Sequence, residues 1–93
     1  MEESLRDMLK HGRKWERHRV DDSGIFIRRI PKSKENPAYL AIEINPIGDN
    51  GFPINKMGII IRSQSELDAI RQILALKKVD DAFHAIEKVT KNL

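Results

Sequence analysis

The stretch KWERHRVDDSGIFIRRI, Lys14 to Ile30, decides how this chain folds. At its centre Asp21-Asp22-Ser23-Gly24 is a cluster of turn-forming residues, and after it IFIRRI is β-branched and aromatic. Before it, KWERHRV carries no helical period. The two arms are read as a β-hairpin, Lys14–Val20 paired with Ile25–Ile30. A four-residue loop sets the register. Val20 then faces Ile25 and His18 faces Ile27 on one side of the sheet. Arg19 faces Phe26, Arg17 faces Arg28 and Trp15 faces Ile30 on the other. Like charges directly opposite one another destabilise a sheet by up to about 1 kcal/mol. Arg17 against Arg28 is thus a fault in an inert surface and an asset in one that meets an anion.

Upstream, SLRDMLK places Leu5, Met8 and Leu9 on one helical stripe, and Gly12 is placed to end that helix. Downstream, PKSKENP is a polar, Pro-bounded loop. In AYLAIEIN, Leu40, Ile42 and Ile44 alternate with Tyr39, Ala41 and Glu43, predicting a third strand with one buried face. PIGDNGFPIN, rich in Pro, Gly and Asn, is a long connection. KMGIIIRS is a fourth strand whose Ile59-Ile60-Ile61 run predicts partial cover on both faces.

Ser63, three residues before Glu66, has the capping-box spacing that opens a helix. Leu67, Ile70, Ile73 and Leu74 form its inner face, and the pattern continues through Val79, Phe83, Ile86, Thr90 and Leu93. Continuous from Ser63 to Leu93, this helix reaches about 45 Å at 1.5 Å per residue. A compact domain of this size has a radius of gyration of only about 12 Å. Its end then overshoots, and Val79, Phe83, Ile86 and Leu93 need cover from another chain. The alternative is a break at KKVDD, with Asp80 or Asp81 capping a second short helix. The expected fold is α+β: one domain, residues 1–93, with a four-stranded antiparallel sheet, an N-terminal helix and a long C-terminal helix. The order is α-β-β-β-β-α, and residues 77–93 are the expected oligomerisation helix.

Composition narrows the function. With no Cys among 93 residues, disulfides, thiolate metal sites and thiol nucleophiles are excluded. No apolar run approaches the roughly 20 residues that span a bilayer, so no membrane partner is expected. MEESLRDMLK opens acidic and is not an export signal, which makes the cytoplasm the expected compartment. Many Ile and charged residues with few Gln resemble thermophile usage. His11, His18 and His84 are far apart without metal-ligand spacing, and neither a nucleophile triad nor a carboxylate pair can be argued. Asp49-Asn50-Gly51 lacks the recurring oxygen ligands of a calcium loop and reads as a turn. No enzyme, metal or cofactor is expected.

Charge is the positive signal. The net +3 is uneven: residues 1–34 hold 10 Lys/Arg against 6 Asp/Glu, residues 35–93 hold 7 against 8. KHGRKWERHR, Lys10 to Arg19, alone holds five Lys/Arg, two His and a Trp. A local basic patch argues for an anionic partner. Aromatics interleaved with Arg on an open sheet suit single-stranded nucleic acid, because bases stack on rings while Arg and Lys follow phosphates. The candidate binding residues are Arg13, Lys14, Trp15, Arg17, Arg19, Phe26, Arg28, Tyr39 and Arg62. On the alternative reading, Trp15 locks the first helix to the sheet, the Arg-rich strands are solvated edges, and the basic face serves an acidic protein partner.

At GIIIRSQSELDAIRQIL, Gly58 to Leu74, a strand feeds directly into a capped helix after three earlier strands. In this order the chain resembles the archaeal ThermoDBP-related single-stranded nucleic-acid-binding proteins and, more distantly, the Whirly and positive-cofactor-four sheets. The resemblance implies a curved antiparallel sheet that binds single-stranded DNA or RNA, and a tetramer built through C-terminal helices. It also implies Trp15, Phe26 and Tyr39 as stacking residues, with Arg17, Arg19 and Arg28 on phosphates.

Overall fold

A computed structural model describes residues 1–92. The elements run α1 (Glu2–His11), β1 (Arg17–Arg19), β2 (Ile25–Ile30), β3 (Tyr39–Ile44), β4 (Ile59–Ile61), α2 (Gln64–Leu74) and α3 (Lys77–Lys91). The four strands form one antiparallel meander in the order β1-β2-β3-β4, so the chain is α+β. It divides into two compact units at Arg62–Ser63.

In the first unit the hairpin register matches the expected one from Arg17 to Val20, although the first strand is Arg17–Arg19 and not Lys14–Val20: Arg17 pairs with Arg28, His18 with Ile27 and Arg19 with Phe26, while the Val20 amide donates to the Ile25 carbonyl. Helix α1 ends at Gly12, whose amide donates to the Met8 carbonyl, and Met8 is buried. A Cβ on Gly12 would meet that carbonyl oxygen at 2.4 Å, so a larger residue does not fit there.

Which face of β3 is buried differs from a simple apolar alternation. Arg17, Arg19, Phe26, Arg28, Ala41 and Glu43 share a face by register, and Phe26, Arg28, Ala41 and Glu43 are its buried members. Ile42, on the opposite face, is 40% exposed. The cause is the connection between β3 and β4. It forms a small loop of its own, with Ile47 bridged to Pro53 and the Gly48 amide donating to the Phe52 carbonyl at 2.8 Å. Its Gly51 and Lys56 carbonyls then accept from arginines of the sheet, which brings the loop over the polar face. Along β4, Ile61 is buried and Ile60 half-buried, whereas Ile59 is exposed.

The second unit is two helices where one was expected. Helix α2 opens as its sequence predicts, with the Ser63 hydroxyl accepting from the Glu66 amide at 3.1 Å. It closes at Ala75, and Leu76 turns out of the helical region to φ −80°, ψ 134° before α3 begins. The break therefore lies just upstream of KKVDD, and neither Asp80 nor Asp81 caps the helix that follows. At 1.5 Å per residue the two segments are roughly 16 and 22 Å long. Val79 is half-buried, Phe83 and Ile86 are exposed, and Leu93 lies outside the described residues. No helix among the described residues is long and apolar enough to cross a membrane.

Candidate nucleic-acid interface

The expected binding face is organised around an anion of the chain's own. Glu43 has no exposure to solvent. Its Oε1 accepts from Arg17 Nε at 2.9 Å and from Arg28 Nε at 2.7 Å. Its Oε2 accepts from Arg17 Nη2 at 2.8 Å, Asn45 Nδ2 at 3.0 Å and the Gly58 amide at 2.7 Å. The arginines spend their remaining donors on backbone: both reach the Lys56 carbonyl, and Arg28 Nη1 also reaches the Trp15 carbonyl. Asn45 adds a bond to the Asn55 carbonyl at 2.7 Å. Burial alone would raise the Glu43 pKa. The two guanidiniums, the Gly58 amide and Asn45 outweigh it and hold the carboxyl at about 2.

Arg17 and Arg28 therefore stand opposite one another with Glu43 between them, which removes the like-charge fault. Phe26 lies beneath, with the Arg17 guanidinium 5.0 Å and that of Arg19 5.7 Å from its ring centroid. At 2% exposure Phe26 is no stacking platform. Nor is Arg28, which is buried and fully engaged, a phosphate contact. These two assignments are corrected: Phe26 and Arg28 are buried, while Arg19 on the same face stays exposed. Arg19 is tied to Asp22 at 3.2 Å and to the Gly51 carbonyl at 3.0 Å. Half-buried Tyr39 accepts at its hydroxyl from Arg62 Nε at 3.1 Å.

Three of the expected residues behave differently. Arg13, Lys14 and Trp15 are exposed and lie in the turn that leads from α1 into β1. The Glu16 amide donates to the Arg13 carbonyl, closing this turn, and Trp15 has φ +63°. The Trp15 amide donates to the Arg29 carbonyl and the Arg29 amide to the Glu16 carbonyl, both at 2.9 Å. Two residues of one strand thus oppose a single residue of the next. That is a β-bulge whose first residue is left-handed, a position where glycine is usual. Trp15 is therefore not paired with Ile30. An L-residue in this region costs about 1–2 kcal/mol, and a large side chain there is an outlier. Glu16 secures the turn by accepting from the Arg13 amide and from His18 Nε2, and these bonds hold its carboxyl below the usual range.

Beside this turn lies a cleft of about 550 Å³, which the sequence did not suggest. Arg13, Lys14, Arg29 and Lys32 line it together with Pro31 and Pro37, and no carboxylate does. Arg29 is steadied by its Nε, which donates to the Leu9 carbonyl at 3.1 Å. Among the described residues Lys14, Lys32 and the terminal nitrogens of Arg29 have no acidic partner. Arg13 has only a loose one, Glu16 at 3.7 Å. The signal that could have found the cleft is the alternation within RRIPK: Arg29 points away from Arg28, towards α1. No group of three or more His, Asp or Glu that could hold a metal ion occurs among the described residues. No family model, curated protein or solved structure matches this chain.

Proposed function

We propose that this protein binds single-stranded nucleic acid at the turn from α1 into β1, with Trp15 as the stacking residue and Arg13 and Lys14 on the phosphates. The observation that carries this reading is Trp15 itself. It is 41% exposed and occupies a left-handed backbone position that glycine would fill without strain. Strain of that kind persists where the side chain is needed for something other than stability. A half-exposed ring preceded by the two cations Arg13 and Lys14 suits an unpaired base and its phosphates, and base stacking contributes about 1–3 kcal/mol. The resemblance in element order to ThermoDBP-related proteins points the same way. In this reading the exposed apolar residues of α3, Phe83 and Ile86, together with Val79, meet another copy of the chain.

The test is fluorescence anisotropy with labelled single-stranded DNA, single-stranded RNA and duplex across a salt series. The expected result is a preference for unpaired strands and a log–log salt slope near −0.7 per phosphate contact. Trp15→Gly, which relieves the backbone strain, is expected to stay folded and to weaken binding about tenfold or more. Equal affinity for duplex, or Trp15→Gly binding as tightly as wild type, refutes the assignment. Tighter binding to polyglutamate than to any nucleic acid would identify an acidic protein as the partner.

A further inference from the structure

We infer that the cleft between the end of α1 and the β2–β3 loop is a subsite for a terminal phosphate monoester of a nucleic-acid strand. This inference rests on the nucleic-acid reading and adds to it where the strand end sits. Charge supports it first. Arg13, Lys14, Arg29 and Lys32 line one cleft without a carboxylate among its walls. The arginine pair at Glu43 shows the contrast, since there the chain neutralises its own cations at 2.7–2.9 Å. In the cleft only Arg13 has an acidic partner, Glu16 at 3.7 Å.

Stoichiometry supports it next. An internal phosphodiester carries one negative charge, and the cations that serve a run of them are spread along the strand. A terminal monoester carries about −1.5 to −2 at pH 7 and offers three acceptor oxygens. Four cationic residues in the lining of one cleft exceed what a single phosphodiester needs and suit one such group. The volume supports it last. About 550 Å³ lies within the 300–1,000 Å³ of ordinary small-ligand sites, room for a phosphate with its nucleoside. Arg29 is positioned by its bond to the Leu9 carbonyl, and Pro31 and Pro37 stiffen the lining. Trp15 is next in the chain to Lys14, one of the residues that line the cleft.

Both the 5′ and the 3′ end of a strand can carry this chemistry, and the experiment separates them. The probes are one single-stranded oligonucleotide in three forms: 5′-phosphate, 3′-phosphate and hydroxyl at both ends, measured by anisotropy at low salt. One phosphorylated form is expected to bind about tenfold more tightly than the hydroxyl form, from one or more added charge-assisted contacts. Lys32→Glu lies outside the Trp15 turn and has no ion pair to lose. It is expected to cut that preference to about threefold or less, beyond any general loss of affinity shared by all three forms, while leaving the circular dichroism spectrum unchanged. Equal affinity for all three forms, or a preference that stays above about threefold in Lys32→Glu, overturns the terminal-phosphate site and leaves the Trp15 assignment standing. No binding of any form overturns both.

Discussion

Replacing Glu43 with Gln removes the one negative charge between two guanidiniums while preserving size. The Arg17 and Arg28 side chains are 24% and 9% exposed, so water cannot fully replace the lost partner. Breaking a buried ion pair by deleting one member destabilises by about 3–5 kcal/mol. Gln also directs an amide N–H₂ towards donors, so two or three of the five bonds to the carboxylate become repulsions, depending on which oxygen it replaces. A domain of this size has roughly 5–14 kcal/mol of stability, so the variant should survive at neutral pH with a much lower urea midpoint.

The pH dependence gives a second and sharper magnitude. The Glu43 carboxyl titrates near 4.5 when exposed and at about 2 in the folded protein. A depressed folded value means that the unfolded chain takes up the proton first as the pH falls. The stabilisation is then fully present above about pH 5 and is lost progressively as the pH falls towards 2. At 1.36 kcal/mol per unit the loss is about 3 kcal/mol. Urea unfolding followed by Trp15 fluorescence, from pH 7 down to pH 2, should show this fall in the wild type. Glu43→Gln should lack this component. A Glu43→Gln midpoint equal to wild type at pH 7, or an unchanged slope between pH 5 and 2, would refute the claim that this carboxylate holds the β3–β4 loop on the sheet.

Four other outcomes are expected. Gly58→Ala would place a Cβ 2.2 Å from the Ile44 carbonyl oxygen, and the backbone shift it forces should cost roughly 1–3 kcal/mol in denaturant unfolding. Ser63→Ala removes the acceptor of the Glu66 amide and should lower stability by about 1 kcal/mol without changing the sheet's amide spectrum. Trp15→Gly should be about 1 kcal/mol more stable than Trp15→Ala, because both lose the ring and only Ala keeps the left-handed strain. Phe83→Glu combined with Ile86→Glu should shift the mass measured by light scattering towards monomer; a wild type that is monomeric at high concentration would end the self-association reading.

The sequence made legible what depends on neighbours along the chain. The turn cluster Asp21–Gly24 set the hairpin register, Gly12 stopped α1, and the Ser63 to Glu66 spacing opened α2. Other features depend on groups that no pattern displays. The break at Ala75–Leu76 has neither Gly nor Pro, and Ala, Leu and Lys all favour helix. The covered polar face escaped because its lid is a set of backbone carbonyls, Gly51 and Lys56, more than 25 residues from their arginines. One clue was nonetheless present. Glu43 is the single charge in YLAIEI, and the β3 alternation puts it on the face of Arg17 and Arg28.

That clue reverses the usual reading of a basic strand. An Arg facing an Arg across a hairpin advertises an anion, but an acid of the same parity on the next strand supplies one internally. Unsatisfied positive charge then has to be sought on the other side, at Arg29, whose direction is opposite to that of Arg28. The same two-residue alternation therefore separates Arg28, which helps hold this fold together, from Arg29, whose terminal nitrogens have no acidic partner among the described residues. The strained Trp15 marks the boundary between them: its carbonyl accepts from Arg28 on the buried side, and its ring remains half in water.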